Sequence, residues 1–218
     1  RRLAIIGCGL MGGSVALALK RAEYVHEVVG YSRNPATREL ALTRGVIDRA
    51  AADLAHTVQG ADVVILATPV GALAPTMTAI APHLAAGAVI TDVGSTKSDV
   101  VRHAQAHLGQ HIHHFVPAHP IAGKEHAGVE HADADLYENR KVILTPLAQN
   151  TLGAITTVES LWRICGADVV TMSPQDHDTV FAAVSHLPHL LAFSYINSLA
   201  DQAQLDLFLA LAGPGFRD

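Results

Sequence analysis

The sequence predicts an α/β fold of the Rossmann type, a doubly wound, mostly parallel sheet followed by an α-helical second domain, and three observations predict it. Short β-branched runs alternate with alanine- and leucine-rich stretches of helical length. A glycine-rich turn directly follows the first of those runs. Beyond Thr171 the alternation stops and one long helical pattern takes over.

Taken in order, Leu3–Ile6 precedes a helix over Leu10–Arg21, Val28–Tyr31 precedes Pro35–Arg44, Val63–Ala67 precedes Val70–Leu84, and Val89–Asp92 precedes Lys97–Leu108. Strand followed by helix, four times over, implies βαβ crossovers and parallel pairing. The run from Val63 to Ala67 has no polar face, as expected of a strand covered by helices on both sides. The sheet is expected to continue through Phe115–Ala118, Val142–Leu144 and Asp168–Thr171.

At Ser173 the texture changes. A Ser cap, Pro174 at the first helical position and early acids at Asp176 and Asp178 make a helix start. The helical pattern runs to about Gln204, and Pro188 should kink it beside His186 and His189. A boundary near Met172 therefore divides the chain into domains over 1–172 and 173–218.

With 218 residues there is room for one large domain, or for a full domain and part of another. Hydrophobic residues make up 50%, yet no apolar run approaches the roughly 20 residues of a spanning helix, and no secretory signal is visible. A soluble globular protein that does not enter membranes is expected. The net charge of -5 argues against general nucleic-acid affinity. Two cysteines, Cys8 inside the glycine turn and Cys165 far from it, make no disulfide framework and fit a reducing cytoplasm. Residue 1 is Arg, strand-like sequence starts at Leu3, and the last residues, Gly213–Asp218, read as a loop, so the second domain is expected to be incomplete.

The glycine turn reads Gly7-Cys-Gly-Leu-Met-Gly12, between a strand and an amphipathic helix, which is the context a dinucleotide fingerprint requires. Gly7 permits the tight turn, Gly9 lets the backbone approach a pyrophosphate, and Gly12 allows strand and helix to pack closely. Leu10 and Met11 complete the turn, and the pyrophosphate would rest on the helix N-terminus. The second strand ends in Gly30-Tyr-Ser-Arg-Asn34, with no acid where an NAD-specific site carries one. Ser32 and Arg33 instead suit a ribose 2′-phosphate, which favours NADP and leaves NAD as the alternative. Thr68-Pro69, at the carboxyl end of the next strand, is assigned to cofactor contact.

Two further loops should reach the same sheet edge. One is Thr91-Asp-Val-Gly-Ser-Thr-Lys97, in which Ser95 or Thr96 could serve simply as a helix N-cap. The other is Pro117-Ala-His-Pro-Ile-Ala-Gly-Lys-Glu125, which sets His119 at a strand end.

Through D-x-G-S-x-K at Asp92–Lys97, H-P-I-A-G-x-E at His119–Glu125, S-H-L-P-H at Ser185–His189 and G-x-G-F-R-D at Gly213–Asp218, the sequence resembles the prephenate dehydrogenase family. The four motifs span nearly the whole chain. The resemblance implies an NADP- or NAD-dependent oxidative decarboxylation of prephenate or arogenate, carried out by a dinucleotide-binding domain and a helical substrate and dimerisation domain. It implies His119 as the base, a role suited to an imidazole that titrates near working pH. Ser95 would hold the substrate hydroxyl in a reactive geometry. His189 would face the substrate, with His186 one turn away, and Glu125 would act at the site entrance as a gate. The arginine that binds the ring carboxylate should follow G-F-R-D by about one helical turn; Arg217 belongs to the motif itself and is not assigned that role. A homodimer is expected, with Leu190–Leu211 offering an apolar helical face.

Other readings of the same residues stand beside this one. The pairs His103/His107 and His186/His189 and the group His111/His113/His114 have ligand-like spacings, but no cysteine or acid cluster completes a site, so no metal is expected. Met11 and Trp162 are read as packing residues, and His186 equally as a structural histidine. A β-hydroxyacid dehydrogenase or pyrroline-carboxylate reductase would share the glycine turn and a helical second domain. A non-catalytic NADP-binding regulatory module would keep the turn without needing His119.

Overall fold

The computed structural model describes residues 1–200, 202–213 and 216, and they fall into two compact units, Arg1–His177 and Asp178–Asp218. In the first unit six strands, β1 (Arg2–Ile6), β2 (Glu27–Tyr31), β3 (Arg49–Ala50), β4 (Val63–Leu66), β5 (Val89–Asp92) and β6 (Phe115–Val116), form a parallel sheet in the order β3-β2-β1-β4-β5-β6. The order reverses between β1 and β4. Their carboxyl ends therefore open the crevice in which sheets of this kind bind ligands.

Five helices connect these strands or pack on them: α1 (Leu10–Arg21), α2 (Pro35–Thr43), α3 (Leu54–Val58), α4 (Leu73–Ile80) and α5 (Ser98–His107). Both faces of the sheet are buried. One packs Leu3, Ile5, Val63 and Ile65 with Val15 and Leu19 of α1; the other packs Ala4, Ile6, Val64 and Leu66 with Leu73 and Met77 of α4. Alternate residues of β1 and β4 thus feed opposite cores, which is why these strands lack a polar face. The helical stretch expected over Val70–Leu84 is α4 flanked by two 3-10 turns, Val70–Ala72 and Ala81–His83. Pro75 sits in the first turn of α4, where its missing N–H costs nothing, and Pro82 lies beyond its end.

The expected single strand Phe115–Ala118 is two strands in two sheets. After β6 the chain passes Pro117 and starts β7 (Ala118–Pro120), which pairs antiparallel with β8 (Lys141–Leu144); β8 pairs in parallel with β9 (Asp168–Thr171). Pro117 has no N–H to donate, but its carbonyl accepts from Thr145 N at 3.0 Å, so pairing passes to the second sheet here. Between β8 and β9 lies α6 (Leu152–Ile164), capped by the Thr151 hydroxyl, which accepts from Ala154 N at 3.2 Å. Its buried Trp162 meets Tyr137 edge-on, with ring centroids 5.1 Å apart.

Ser173 caps α7 (Pro174–Phe181) as the sequence suggests: its Oγ accepts from Asp176 N at 3.0 Å and donates to Asp176 Oδ2 at 2.7 Å. A π turn over Ala182–His186 follows, then α8 (Leu187–Ala200) and α9 (Leu205–Leu211). The π turn ends two residues before Pro188 and shifts the hydrogen-bond register where the proline nitrogen cannot donate. The helical run over Pro174–Ala200 has 27 residues and is long and apolar enough to cross a membrane, although the sequence shows no uninterrupted apolar run of that length. In the second unit Leu190, Leu191, Phe193 and Tyr195 are all exposed.

Candidate active site

The glycine turn is shaped by close approach. Gly7 has φ +106°, and a Cβ there would lie 2.3 Å from the Ala67 carbonyl oxygen; a Cβ on Gly12 would lie 2.2 Å from the Gly7 oxygen. Both positions therefore accept only glycine, and the turn after β1 is pressed against the loop after β4. Gly9, the N-cap of α1, faces open space, with nothing within 4 Å of where its Cβ would be. Leu10 is buried and Met11 half-buried in the first turn of α1, where the Met11 carbonyl accepts from the Tyr137 hydroxyl at 2.7 Å.

Beside this turn lies a cavity of about 500 Å3 that Gly7, Ser32, Arg33, Thr68 and Pro69 line together with Tyr31, Asn34 and Thr76. The Thr68 hydroxyl on its wall is buried and has no hydrogen-bond partner among the described residues. An open glycine face, the first-turn amides of a helix with no side-chain cap and a buried hydroxyl without a partner among the described residues fit the phosphate and ribose groups of a dinucleotide. Arg33 is exposed at the rim. A second guanidinium, which the sequence reading missed, stands close by: Arg38 of α2 donates to the Ser32 carbonyl and lies over the Tyr31 ring, 5.5 Å from its centroid. Its signal is its place on the first helix turns after Ser32. Cys8 is buried beneath the turn, and desolvation pushes its thiol up to about 12, so it stays protonated and unreactive.

At the next strand end, Asp92 is completely buried. Its Oδ2 accepts from Gly94 N at 2.8 Å and from Lys97 Nζ at 2.6 Å, and its Oδ1 accepts from Ala118 N at 3.1 Å. Ser95 is exposed in the loop that Asp92 and Lys97 bracket. Neither Ser95 nor Thr96 caps α5; Lys97 occupies the N-cap position without a side-chain cap bond.

His119 follows Ala118 in β7 and is half-buried. Its Nδ1 stands 2.8 Å from Nε2 of His177, with the rings at 63°. His177 is fully buried on α7. In the sequence its segment reads only as a helix start; its signal is a histidine in the second turn of a helix whose first residue is fixed by Ser173 and Pro174.

Glu125 is exposed in the segment after β7. The neighbouring Lys124 Nζ donates to Asp133 Oδ2 at 2.8 Å, and Asp133 N donates to Ser14 Oγ of α1 at 2.9 Å, so this flank is moored to α1. His186 and His189 belong to the second unit, the first half-buried in the π turn, the second exposed on α8 with its ring 6.5 Å from Phe193. Arg217 and Asp218 of the G-x-G-F-R-D motif lie outside the described residues. His107 Nδ1 meets the Thr78 hydroxyl at 3.0 Å and His113 Nδ1 the Gln149 carbonyl at 2.9 Å. Among the described residues no three potential metal ligands come together.

Residues 15–171 match the model of the prephenate dehydrogenase nucleotide-binding domain, and residues 173–218 match that of the prephenate dehydrogenase dimerization domain. Cyclohexadienyl dehydrogenase of Zymomonas mobilis is 36% identical over 200 residues, covering 92% of this chain and 68% of that protein. Prephenate dehydrogenase of Bacillus subtilis is 36% identical over 218 residues, covering 99% of this chain and 58% of that protein. The crystal structure of prephenate dehydrogenase from A. aeolicus with hydroxyphenyl propionate and NAD+ superposes with a TM-score of 0.91 at 36% identity, covering 100% of this chain and 76% of that one. The chain spans about three fifths to two thirds of the length of these two curated relatives.

Proposed function

The chain belongs to the prephenate dehydrogenase family, and from that premise we propose that it oxidises prephenate or arogenate with a nicotinamide cofactor, NADP in preference to NAD. Carbon dioxide leaves as the ring becomes aromatic, giving 4-hydroxyphenylpyruvate or tyrosine. The observation that carries this reading is the contact between His119 and the buried His177 at 2.8 Å, beside a loop that presents Ser95.

A bound nicotinamide would supply the acceptor for the hydride that leaves the carbinol carbon. His119 takes the proton of the hydroxyl on that carbon, holds it at Nε2, and returns it to the phenolic oxygen once carbon dioxide has departed. For Nε2 to carry the lone pair, Nδ1 must carry the hydrogen, and His177 Nε2 is placed to accept it. An imidazole fixed in one tautomer and one orientation is ready for proton transfer without rearrangement. Ser95 orients the hydroxyl and Glu125 gates the entrance, and His189 and His186 are the further substrate-binding residues that the family resemblance names.

Gly7, Gly9, Leu10, Met11 and Gly12 hold the pyrophosphate at the start of α1. Thr68 and Pro69 border the ribose. Ser32 and Arg33 receive the 2′-phosphate, since a guanidinium pairs with it where an acid would repel it. The protein works as a soluble cytoplasmic homodimer in which a second copy covers the exposed apolar face of α8, consistent with the match of 173–218 to a dimerization domain.

A steady-state comparison of prephenate and arogenate, each with NADP and NAD, using the full-length protein, tests the proposal. Turnover of at least one substrate with a higher kcat/KM for NADP supports it; absence of turnover with both, while NADPH binds, assigns the chain to a cofactor-binding module instead.

A further inference from the structure

We propose that the buried Asp92–Lys97 pair is a positioning clamp that sets the distance between Ser95 and His119. This rests on the reading of His119 as the base and of Ser95 as the residue that orients the substrate hydroxyl.

Both members are completely buried, side chains included. A buried ion pair is costly unless hydrogen bonds satisfy it, and here each charged group has a backbone partner as well as its counter-ion. Ala118 is the residue before His119, and the pair takes both of its backbone groups: Ala118 N donates to Asp92 Oδ1 at 3.1 Å, and Ala118 O accepts from Lys97 Nζ at 2.6 Å. In β7 those groups point away from β8, because the neighbouring ladder bonds run from Thr145 N to Pro117 O and from Ile121 N to Lys141 O. An ordinary strand edge would leave them to water or to another strand. Here the carboxylate and ammonium stand in for the missing strand and join the second sheet to the end of β5.

The same carboxylate closes the other loop. Gly94 N donates to Asp92 Oδ2 at 2.8 Å, and Lys97 returns to the same oxygen at 2.6 Å, so the loop carrying Ser95 is pinned at its start and its end by the atoms that grip Ala118. A Cβ on Gly94 would come within 2.8 Å of Asp92 Oδ2, which leaves the loop no slack. Lys97 is thus unable to reach substrate or cofactor as a free ammonium; it acts through backbone.

The test uses full-length Lys97→Met and the double variant Asp92→Asn/Lys97→Met, the second removing both charges so that no unpaired ion stays buried. Kinetics, NADPH affinity, melting temperature and a crystal structure of the double variant are measured. The expectation is that the double variant regains melting temperature relative to Lys97→Met while kcat stays at least about 100-fold below wild type with NADPH affinity unchanged, as a misplacement of about 1 Å would produce. Its crystal structure should show Ala118 displaced from the 92–97 loop. Recovery of kcat together with melting temperature, or Ser95 and His119 at their wild-type positions, overturns the clamp. A wild-type protein without turnover overturns the proposed function instead, and the crystal structure of the double variant still decides the clamp.

Discussion

His119 Nδ1 and His177 Nε2 lie 2.8 Å apart, one imidazole half-buried at a strand end and the other sealed on a helix whose start is fixed by a Ser-Pro cap. The His177 ring orients the base but, unlike a carboxylate, brings no negative charge to stabilise an imidazolium. His177→Gln keeps a hydrogen-bonding side chain and loses the ring. We expect kcat to fall about fivefold to thirtyfold, the equivalent of one or two hydrogen bonds of about 1 kcal/mol, with NADPH affinity unchanged. A variant with wild-type kcat would show that the contact is structural only.

Cofactor choice should follow the guanidinium at the rim of the cavity. Arg33→Ala removes a charge-assisted contact worth about 1.5–3 kcal/mol, so the NADP-to-NAD ratio of kcat/KM should drop by about tenfold or more. Arg38, already bonded to the Ser32 carbonyl, should shift the ratio less when changed to Ala. Ratios measured side by side check both, and an unchanged ratio in Arg33→Ala contradicts the NADP assignment.

At Gly12 the obstacle is backbone. A Cβ would meet the Gly7 oxygen at 2.2 Å, with Ala67 Cβ and Ile5 Cγ2 both at 3.0 Å, and none of these is the free end of a flexible chain. Gly12→Ala should therefore lower stability by about 1–3 kcal/mol and weaken NADPH binding, read by denaturant unfolding and fluorescence titration. At Gly9 the open space predicts the opposite order: Gly9→Ala should weaken the cofactor more than the fold.

His111 supplies a pH signature of stability. Burial first, and the neighbouring His114 second, hold its pKa below the ordinary 6.5, and its Nδ1 is buried without a hydrogen-bond partner among the described residues. The folded state thus binds its proton less readily than the unfolded chain. Its stability contribution is complete above pH 6.5 and is lost as pH falls from there towards the folded value. His111→Gln should flatten the decline in urea midpoint between about pH 7 and about pH 5. Parallel declines in variant and wild type would assign the acid sensitivity elsewhere.

Much of this architecture is legible in the pattern of residues. β1, β4 and β5 are short, apolar and bounded by turn signals, and the glycine turn declares its own geometry because Gly7 and Gly12 admit no side chain. β3 and α3, at two and five residues, are too short for a periodic signal. The change of sheet at Pro117 escapes for a different reason: Phe115–Ala118 reads as one strand, and what divides it is a tertiary event, the capture of Ala118 by Asp92 and Lys97 from a distant loop. The site divides in the same way. His119, Ser95 and the glycine turn sit in recognisable motifs, whereas His177 and Arg38 matter through the neighbours that folding brings to them.

The most direct test of the central claim is turnover by His119→Asn in the full-length protein, measured with NADPH affinity on the same preparation. A positioned general base contributes about 10²- to 10⁴-fold, so kcat should fall by that factor while cofactor binding stays as in wild type. Wild-type kcat in the variant would contradict the assignment of His119 as the base.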